Sequence, residues 1–282
     1  MVSDKFPMRI SIILFFLSSS LALPGQSSGA KPVAGTPDVH AKIHAMAFGA
    51  ILASFNGDAA VTLSKDADPI RRQETLAKWW DVHSREELLA LLDRIVDGKN
   101  GHRATFLLTQ EKFKHLSPGM LWPTILGLAK AGDDIEDLVF VASYMHTPGG
   151  KCLALTAWDF GRYINLCRWG WDAGYLSEPE VWERVIPVAR LLQKSYSSWP
   201  EYASDYMRGR EYYSASATRE NGARMQEIVN LLLVERPNGV WGNIPWEESL
   251  GEGPIAVDQF AEKIKARALG PDIKAEAPTL TK

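Results

Sequence analysis

The chain has 282 residues, of which 46% are hydrophobic and 23% charged, enough apolar material for one large core or two modest ones. Its formal net charge is −3, so the overall charge gives no reason to expect binding to nucleic acid or to an anionic membrane. Ten tryptophans are the unusual feature of the composition. Their indoles either stack on arginines in the core, which we favour, or form a surface that binds rings.

The N-terminus has the pattern of an export signal. Lys5 and Arg9 precede a short apolar run over residues 10–17, and small residues follow that run. This order is typical of a secretory signal peptide. The run falls short of the roughly 20 apolar residues of a comfortable membrane span. We therefore predict export to the periplasm or the extracellular medium, without stable membrane insertion after cleavage. An uncleaved anchor is the alternative.

Composition divides the chain into four segments. Residues 24–38 are rich in Pro, Gly and Ser, which is typical of a flexible leader. The predicted segments are a signal peptide (1–22), a leader (23–38), an all-helical domain (39–268) and a polar tail (269–282). Cleavage of the signal is predicted after Ala22 or, alternatively, after Ala30.

Helical signals follow one another through the predicted domain. Residues 40–55 are Ala-rich and amphipathic, and Asp68 with Pro69 opens a helix that runs to about Trp80. A further helix begins at the capping sequence 84–87, and a short one is expected from Pro200 to Gly209. Strand-like alternation never exceeds four residues. The sequence therefore predicts a single all-α globular domain of about nine or ten helices.

The longest predicted helix, over about 153–172, carries two unlike faces. One face is apolar, and the opposite half of the helical wheel is polar and charged. The apolar residues are Phe160, Tyr163, Ile164, Cys167 and Trp171. The polar residues are Asp159, Arg162, Asn165, Arg168 and Asp172, with Trp158 and Trp169 among them. Asp159 and Arg162 are three residues apart, and Arg168 and Asp172 four, so both pairs are within reach of an ion pair. The polar half is either a buried ionic layer, which we favour, or the floor of a polar pocket.

Seven short motifs follow one another in a fixed order along the chain. They are Gly101-His102-Arg103, Ala157-Trp158-Asp159-x-x-Arg162, Arg168-Trp169-Gly170, Glu180-x-Trp182, Tyr196-Ser197-Ser198-Trp199, Tyr206-Met207-x-Gly209-Arg210 and Pro245-Trp246. This ordered series resembles a known bacterial family, the domain of unknown function numbered 1266. The resemblance covers about residues 79–246. Val240-Trp241-Gly242 departs from it, because a Ser-Pro-Trp type of element would be expected there. The resemblance implies an all-helical domain and implies no activity.

Eight residues form our candidate pocket or buried polar network. They are Trp158, Asp159, Arg162, Arg168, His102, Arg103, Glu180 and Arg210. The His102-Arg103 pair at a helix start offers a general base or an anion ligand, although a structural role is the more common one for a single histidine. His40 and His44 have the four-residue spacing of metal ligands, but no Glu-x-x-His surrounds them. We predict neither a metal nor a cofactor.

The two cysteines, Cys152 and Cys167, are expected to be free and largely buried. On one helix they would be separated by roughly 22 Å, because each residue advances the helix by about 1.5 Å. A disulfide requires Cα atoms within about 7 Å.

Three functional hypotheses remain open at this stage. The first is a non-enzymatic interaction module of the cell envelope, with another envelope protein as its partner. The alternative is a hydrolase with a site near Asp159, Arg162, His102 and Arg103. The third is sugar or peptidoglycan binding through exposed tryptophans. A sealed layer of Arg, Asp and Trp favours the first hypothesis, and an open cleft that joins His102 to Asp159 favours the second.

Overall fold

A computed structural model describes residues 37–63, 68–97, 101–145, 155–213, 219–234 and 239–255. The predicted signal peptide, residues 23–36 of the leader, Cys152, residues 256–268 of the predicted domain and the polar tail lie outside these ranges. For residues 101, 102, 219 and 220 only the backbone is described.

The described residues contain eleven α-helices, one short 3-10 helix at Trp241–Asn243 and no β-strand. The helices are α1 (Val39–Ala47), α2 (Ala50–Asn56), α3 (Pro69–Trp80), α4 (Arg85–Val96), α5 (Gly101–Phe113), α6 (Pro118–Lys130), α7 (Ile135–Met145), α8 (Thr156–Asp172), α9 (Glu178–Ser195), α10 (Trp199–Tyr213) and α11 (Arg219–Leu233). The all-α prediction is confirmed. None of these helices is both long and apolar enough to cross a bilayer.

Two predicted helix starts are confirmed in atomic detail. The Asp68 carboxylate accepts a hydrogen bond from the Ile70 backbone N–H at 3.0 Å, and Pro69 occupies the first helical position. The Ser84 hydroxyl accepts from the Glu87 backbone N–H at 3.2 Å. Each cap satisfies a backbone N–H that has no partner within its own helix.

Helix α8 is the central element of the fold. It packs against α2, α3, α4, α9 and α10, and every residue of the helix except Trp171 is buried. Trp171, on the apolar face, is half-buried and packs against the margin of the core. The polar face of α8 is as completely buried as the other residues of the apolar face, because helices cover α8 on several sides.

The helix predicted over residues 40–55 is in fact two helices, α1 and α2, and side-chain hydrogen bonds hold the junction between them. Three consecutive carbonyls there accept hydrogen bonds from side chains that belong to other parts of the fold. The bonds run from Trp241 Nε1 to Ala47 O, from the Tyr202 hydroxyl to Phe48 O and from Asn165 Nδ2 to Gly49 O. These contacts hold the α1–α2 junction against α8 and α10.

The helix predicted from Pro200 to Gly209 continues one turn further, to Tyr213. Gly209 packs directly on Trp158 of α8, where a Cβ atom would overlap the indole stem. This glycine therefore permits close approach of two helices rather than ending one of them.

Candidate functional site

The first half of the α8 polar face is a closed ion pair surrounded by aromatic rings. Arg162 Nη2 lies 2.5 Å from Asp159 Oδ1, and the two side chains are 7% and 1% exposed. The guanidinium carbon lies 4.5 Å from the ring centroid of Trp158, 5.3 Å from that of Tyr213 and 5.5 Å from that of Trp80. Rings at these distances favour a cation, and they also exclude water from the pair. This half of the face is a sealed layer.

The second half of the face joins α8 to α3 through Asp58, a partly buried carboxylate in the loop that follows α2. Asp58 Oδ2 accepts from Trp169 Nε1 at 2.7 Å, and Asp58 Oδ1 lies 2.7 Å from Arg72 Nη2. Arg72 Nε also lies 3.4 Å from Asp172 Oδ2, and its guanidinium carbon is 5.5 Å from the Trp169 ring centroid. Arg72 therefore forms ion pairs with two carboxylates at once.

Arg168 does not form the ion pair with Asp172 that the spacing predicted. Its guanidinium donates instead to the backbone carbonyls of Ala59 and Ala60, and Asp172 pairs with Arg72. Burial lowers the pKa of Arg168 to about 10, against the opposing effect of the nearby carboxylates. The guanidinium remains charged at neutral pH, and its hydrogen-bond acceptors are neutral.

A polar cavity of about 400 Å³ opens beside this network. Its walls come from the end of α2, the following loop, α3 and the C-terminal part of α8. The lining residues are Asn56, Gly57, Asp58, Ala59, Thr62, Arg71, Arg72, Thr75, Trp79, Arg168 and Asp172. Trp79 is 71% exposed. We call this cavity the α3/α8 pocket.

The α8 polar face is buried throughout, but its surroundings differ along its length. The Asp159–Arg162 part is sealed, whereas Arg168 and Asp172 form a wall of the α3/α8 pocket. This difference arises because different elements cover the two parts of α8. Aromatic rings close over the Asp159–Arg162 part, whereas α3 and the loop after α2 leave a cavity beside Arg168 and Asp172.

A second buried network holds the start of α8. Asp205 of α10 accepts hydrogen bonds from the hydroxyls of Tyr144 and Tyr196 and, at 3.1 Å, from the Ala157 backbone N–H. Leu155, the residue before α8, has a positive φ of 60° and provides no side-chain cap. Asp205 thus caps α8 from a neighbouring helix. Burial raises the pKa of this carboxyl despite its three donors.

Of the His102-Arg103 pair, only the arginine side chain lies within the described part. Arg103 is buried, its guanidinium carbon is 5.6 Å from the Phe160 ring centroid, and its Nη2 donates to Thr156 Oγ1 at 3.3 Å. These contacts place Arg103 in the core beside the start of α8. Its side chain is 1% exposed.

Glu180 and Arg210 lie apart from the α3/α8 pocket. The Glu180 carboxylate forms an ion pair with Arg85 and accepts hydrogen bonds from the Ser177 backbone N–H and hydroxyl at 2.8 and 2.7 Å. The Arg85 hydrogen bond is the main reason that the pKa of Glu180 falls to about 2. Glu180 therefore caps α9 and ties it to α4, and Arg210 is a half-buried residue of α10.

The two histidines with metal-like spacing have different environments. His44 is fully buried, stacks on Phe48 with centroids 5.5 Å apart, and its Nδ1 lies 2.8 Å from the Glu248 carbonyl oxygen. His40 is exposed. Across the described ranges, no cluster of three or more His, Cys, Asp or Glu side chains has a geometry that could hold a metal ion.

Cys167 is a free and fully buried thiol. Burial raises its pKa to about 12, so the reactive thiolate is rare at neutral pH. These properties are those of a packing residue rather than a nucleophile.

Sequence reasoning missed Asp58, Arg72 and Asp205, which connect the networks around α8. Each lies on a different element from α8, and no spacing within the chain relates them to it. The pairing of Tyr196 with Asp205, only nine residues away, is the one contact that local sequence could have indicated.

The described chain is thus an all-helical domain whose central helix bears one sealed ion pair and one wall of an open polar pocket. Residues 75–246 match the family described as "Protein of unknown function (DUF1266)". The chain belongs to this family, and the match agrees with the range of about 79–246 expected from the motifs. Comparisons with curated proteins and with solved structures yield no match.

Proposed function

We propose that this protein is an exported, non-enzymatic module of the bacterial cell envelope that acts by binding a ligand or partner in the α3/α8 pocket. The observation that carries the proposal is the contrast between the two parts of α8. The motif residues Asp159 and Arg162 are sealed within the core, while Arg168 and Asp172 border a cavity that is open and polar.

The sealed layer argues against the hydrolase alternative. A general acid or base must come within hydrogen-bond distance of its substrate, directly or through one water. Asp159 is 1% exposed and already bound to Arg162, and Arg103 is 1% exposed and packed on Phe160. Substrate could reach these groups only if the core opened.

The α3/α8 pocket has the features of a binding site. Its volume of about 400 Å³ lies in the range of small-molecule sites, about 300–1,000 Å³. Its polar walls are held in place by the bonds between Arg72, Asp58 and Trp169. A rigid wall lowers the entropic cost of binding, because few side chains must be ordered when a ligand arrives.

The export part of the proposal rests on the basic and apolar pattern of the first 22 residues. A fusion of residues 1–35 to a reporter that is active only outside the cytoplasm tests it. We expect activity from this fusion and loss of activity when charged residues interrupt the apolar run at Leu14 and Leu17. A reporter that stays in the cytoplasm with the intact segment would refute export.

Site-specific photocrosslinking tests the binding role in cells. A photoreactive phenylalanine derivative replaces Trp79 at the pocket, and in a matched variant it replaces Trp122 of α6, which is 53% exposed and does not line the pocket. We expect a discrete adduct from position 79 that is absent from position 122. Adducts at neither position, or equally at both, would contradict binding at the pocket.

A further inference from the structure

We infer that the α3/α8 pocket recognises a ring-bearing ligand with an oxyanion group, a carboxylate or a phosphate, with Arg71 binding the anion and Trp79 stacking on the ring. This inference rests on the proposed binding function and adds the chemical class of the ligand.

The charges that line the pocket leave a positive surplus. Three arginines (Arg71, Arg72 and Arg168) face two carboxylates (Asp58 and Asp172), which gives a formal charge of +1. The other lining side chains carry no charge. Asp58 and Asp172 both pair with Arg72, which leaves Arg71 and Arg168 without an ion-pair partner among the described residues. An anionic group is the ligand chemistry that this surplus favours.

Arg71 is the donor available to such a group. It is exposed on the first turn of α3, and within the described residues its guanidinium has neither a hydrogen bond nor an ion pair. Its neighbour Arg72, in contrast, is committed to Asp58 and Asp172. A free guanidinium offers two parallel N–H groups that match the geometry of a carboxylate or phosphate.

Arg168 adds positive potential from the inner wall. It is 2% exposed, and its donors reach the neutral carbonyls of Ala59 and Ala60. Burial lowers its pKa, which means that the surrounding carboxylates do not fully offset the cost of the buried charge. A bound anion nearby would offset more of that cost.

Trp79 supplies a flat apolar surface at the mouth of the same pocket. It is the most exposed large hydrophobic side chain of the described residues, at 71%. The Lys78 ammonium lies 5.2 Å from its ring centroid, and Lys78 does not itself line the pocket. Glu74, the acidic residue on the neighbouring turn of α3, does not line the pocket. A large amphipathic ring beside a free cation is suited to a ligand that combines a ring with an anion.

Equilibrium titration of the full chain at low ionic strength tests the assignment. The four probes are glucose, D-glucuronate, glucose 6-phosphate and inorganic phosphate. We expect glucuronate or glucose 6-phosphate to bind at least about tenfold more tightly than glucose, because a hydrogen-bonded charge pair contributes at least that factor. Comparing the two anionic sugars distinguishes carboxylate from phosphate, and inorganic phosphate shows how much the ring contributes.

Matched variants identify the two residues. Arg71→Gln should weaken binding of the preferred anionic sugar about ten- to a hundredfold. Arg94→Gln, at an exposed arginine of α4, should leave it unchanged. Trp79→Ala should weaken binding of both anionic sugars, D-glucuronate and glucose 6-phosphate. Trp122→Ala should leave their binding unchanged. All four positions are exposed, so unchanged thermal unfolding is expected and is measured alongside.

The outcomes separate this inference from the proposed function. Equal binding of glucose and the anionic sugars, binding of none of the probes, or an Arg71→Gln variant with wild-type affinity would overturn the oxyanion assignment. Inorganic phosphate that binds as tightly as glucose 6-phosphate would refute the role of Trp79. A crosslinked neutral or cationic ligand at position 79 would leave the binding module intact and refute only its assigned ligand chemistry.

Discussion

Asp159 and Arg162 lie one helical turn apart on α8 and form an ion pair that is almost completely shielded from solvent. The rings of Trp158, Trp80 and Tyr213 surround the guanidinium. Breaking such a pair leaves one charge buried without its partner, which costs more than the pair itself contributes. The most recognisable motif of this sequence therefore lies in the packing of the core.

Replacing Arg162 by Ala should lower the free energy of unfolding by about 3–5 kcal/mol, because the Asp159 carboxylate would remain buried without its cation. Urea denaturation followed by circular dichroism measures the change. Arg94→Ala, at an exposed position on α4, is the control and should change stability by less than about 0.5 kcal/mol. An Arg162→Ala protein with the wild-type midpoint would show that the ion pair has no structural role.

Replacing Tyr202 by Phe should cost about 1–3 kcal/mol, since the Phe48 carbonyl would lose its hydroxyl donor inside the core. Tyr175→Phe removes a comparable hydroxyl-to-carbonyl bond, to His83, in an exposed setting. Water can replace that donor, so this control should have a much smaller effect. If both variants lose the same free energy of unfolding, burial of the hydrogen bond at the α1–α2 junction does not determine how much stability is lost.

Two glycine substitutions should change stability in opposite directions. Gly209→Ala places a Cβ atom against Trp158 and should destabilise the protein by about 1–3 kcal/mol. Gly127→Ala, in the interior of α6, meets nothing within 4 Å and should stabilise the helix by about 0.5–1 kcal/mol. Thermal unfolding measures both. A stabilising Gly209→Ala would contradict the close approach of α8 and α10.

His44 should make the protein less stable in mild acid. Burial lowers its pKa below the ordinary value of 6.5, so the unfolded chain takes up the proton first as the pH falls. Its contribution to stability is complete above about pH 6.5 and is lost as the pH falls through the pKa of the folded state. In His44→Gln this part of the pH dependence should disappear from urea titrations between pH 7 and pH 5.

His83 supplies the control for that measurement, because its side chain is 62% exposed. His83→Gln should keep the acid-dependent loss of stability that His44→Gln removes. If the two variants have the same pH profile as the wild type, the loss comes from other groups.

Local sequence was sufficient for much of the helical structure. The Asp68-Pro69 start and the Ser84 cap depend on side chains within three residues of the helix they begin, so a short window contains all the relevant information. The ordered Trp, Arg and Gly motifs likewise indicated the family, which the match over residues 75–246 confirms. The division of residues 40–55 into α1 and α2 was not predictable, because its causes include Tyr202 and Trp241, more than 150 residues away.

The sequence by itself determined that α8 would have a charged face and that Asp159 could reach Arg162, because helical periodicity fixes both. Only the tertiary structure decided which charges would be sealed. Rings from α3 and α10 close over Arg162, whereas Asp58 and Arg72 come from elsewhere in the chain to form a pocket wall beside Arg168. Helical spacing sets which side chains share a face. Whether that face meets rings or an open cavity depends on neighbouring helices that sequence spacing does not specify.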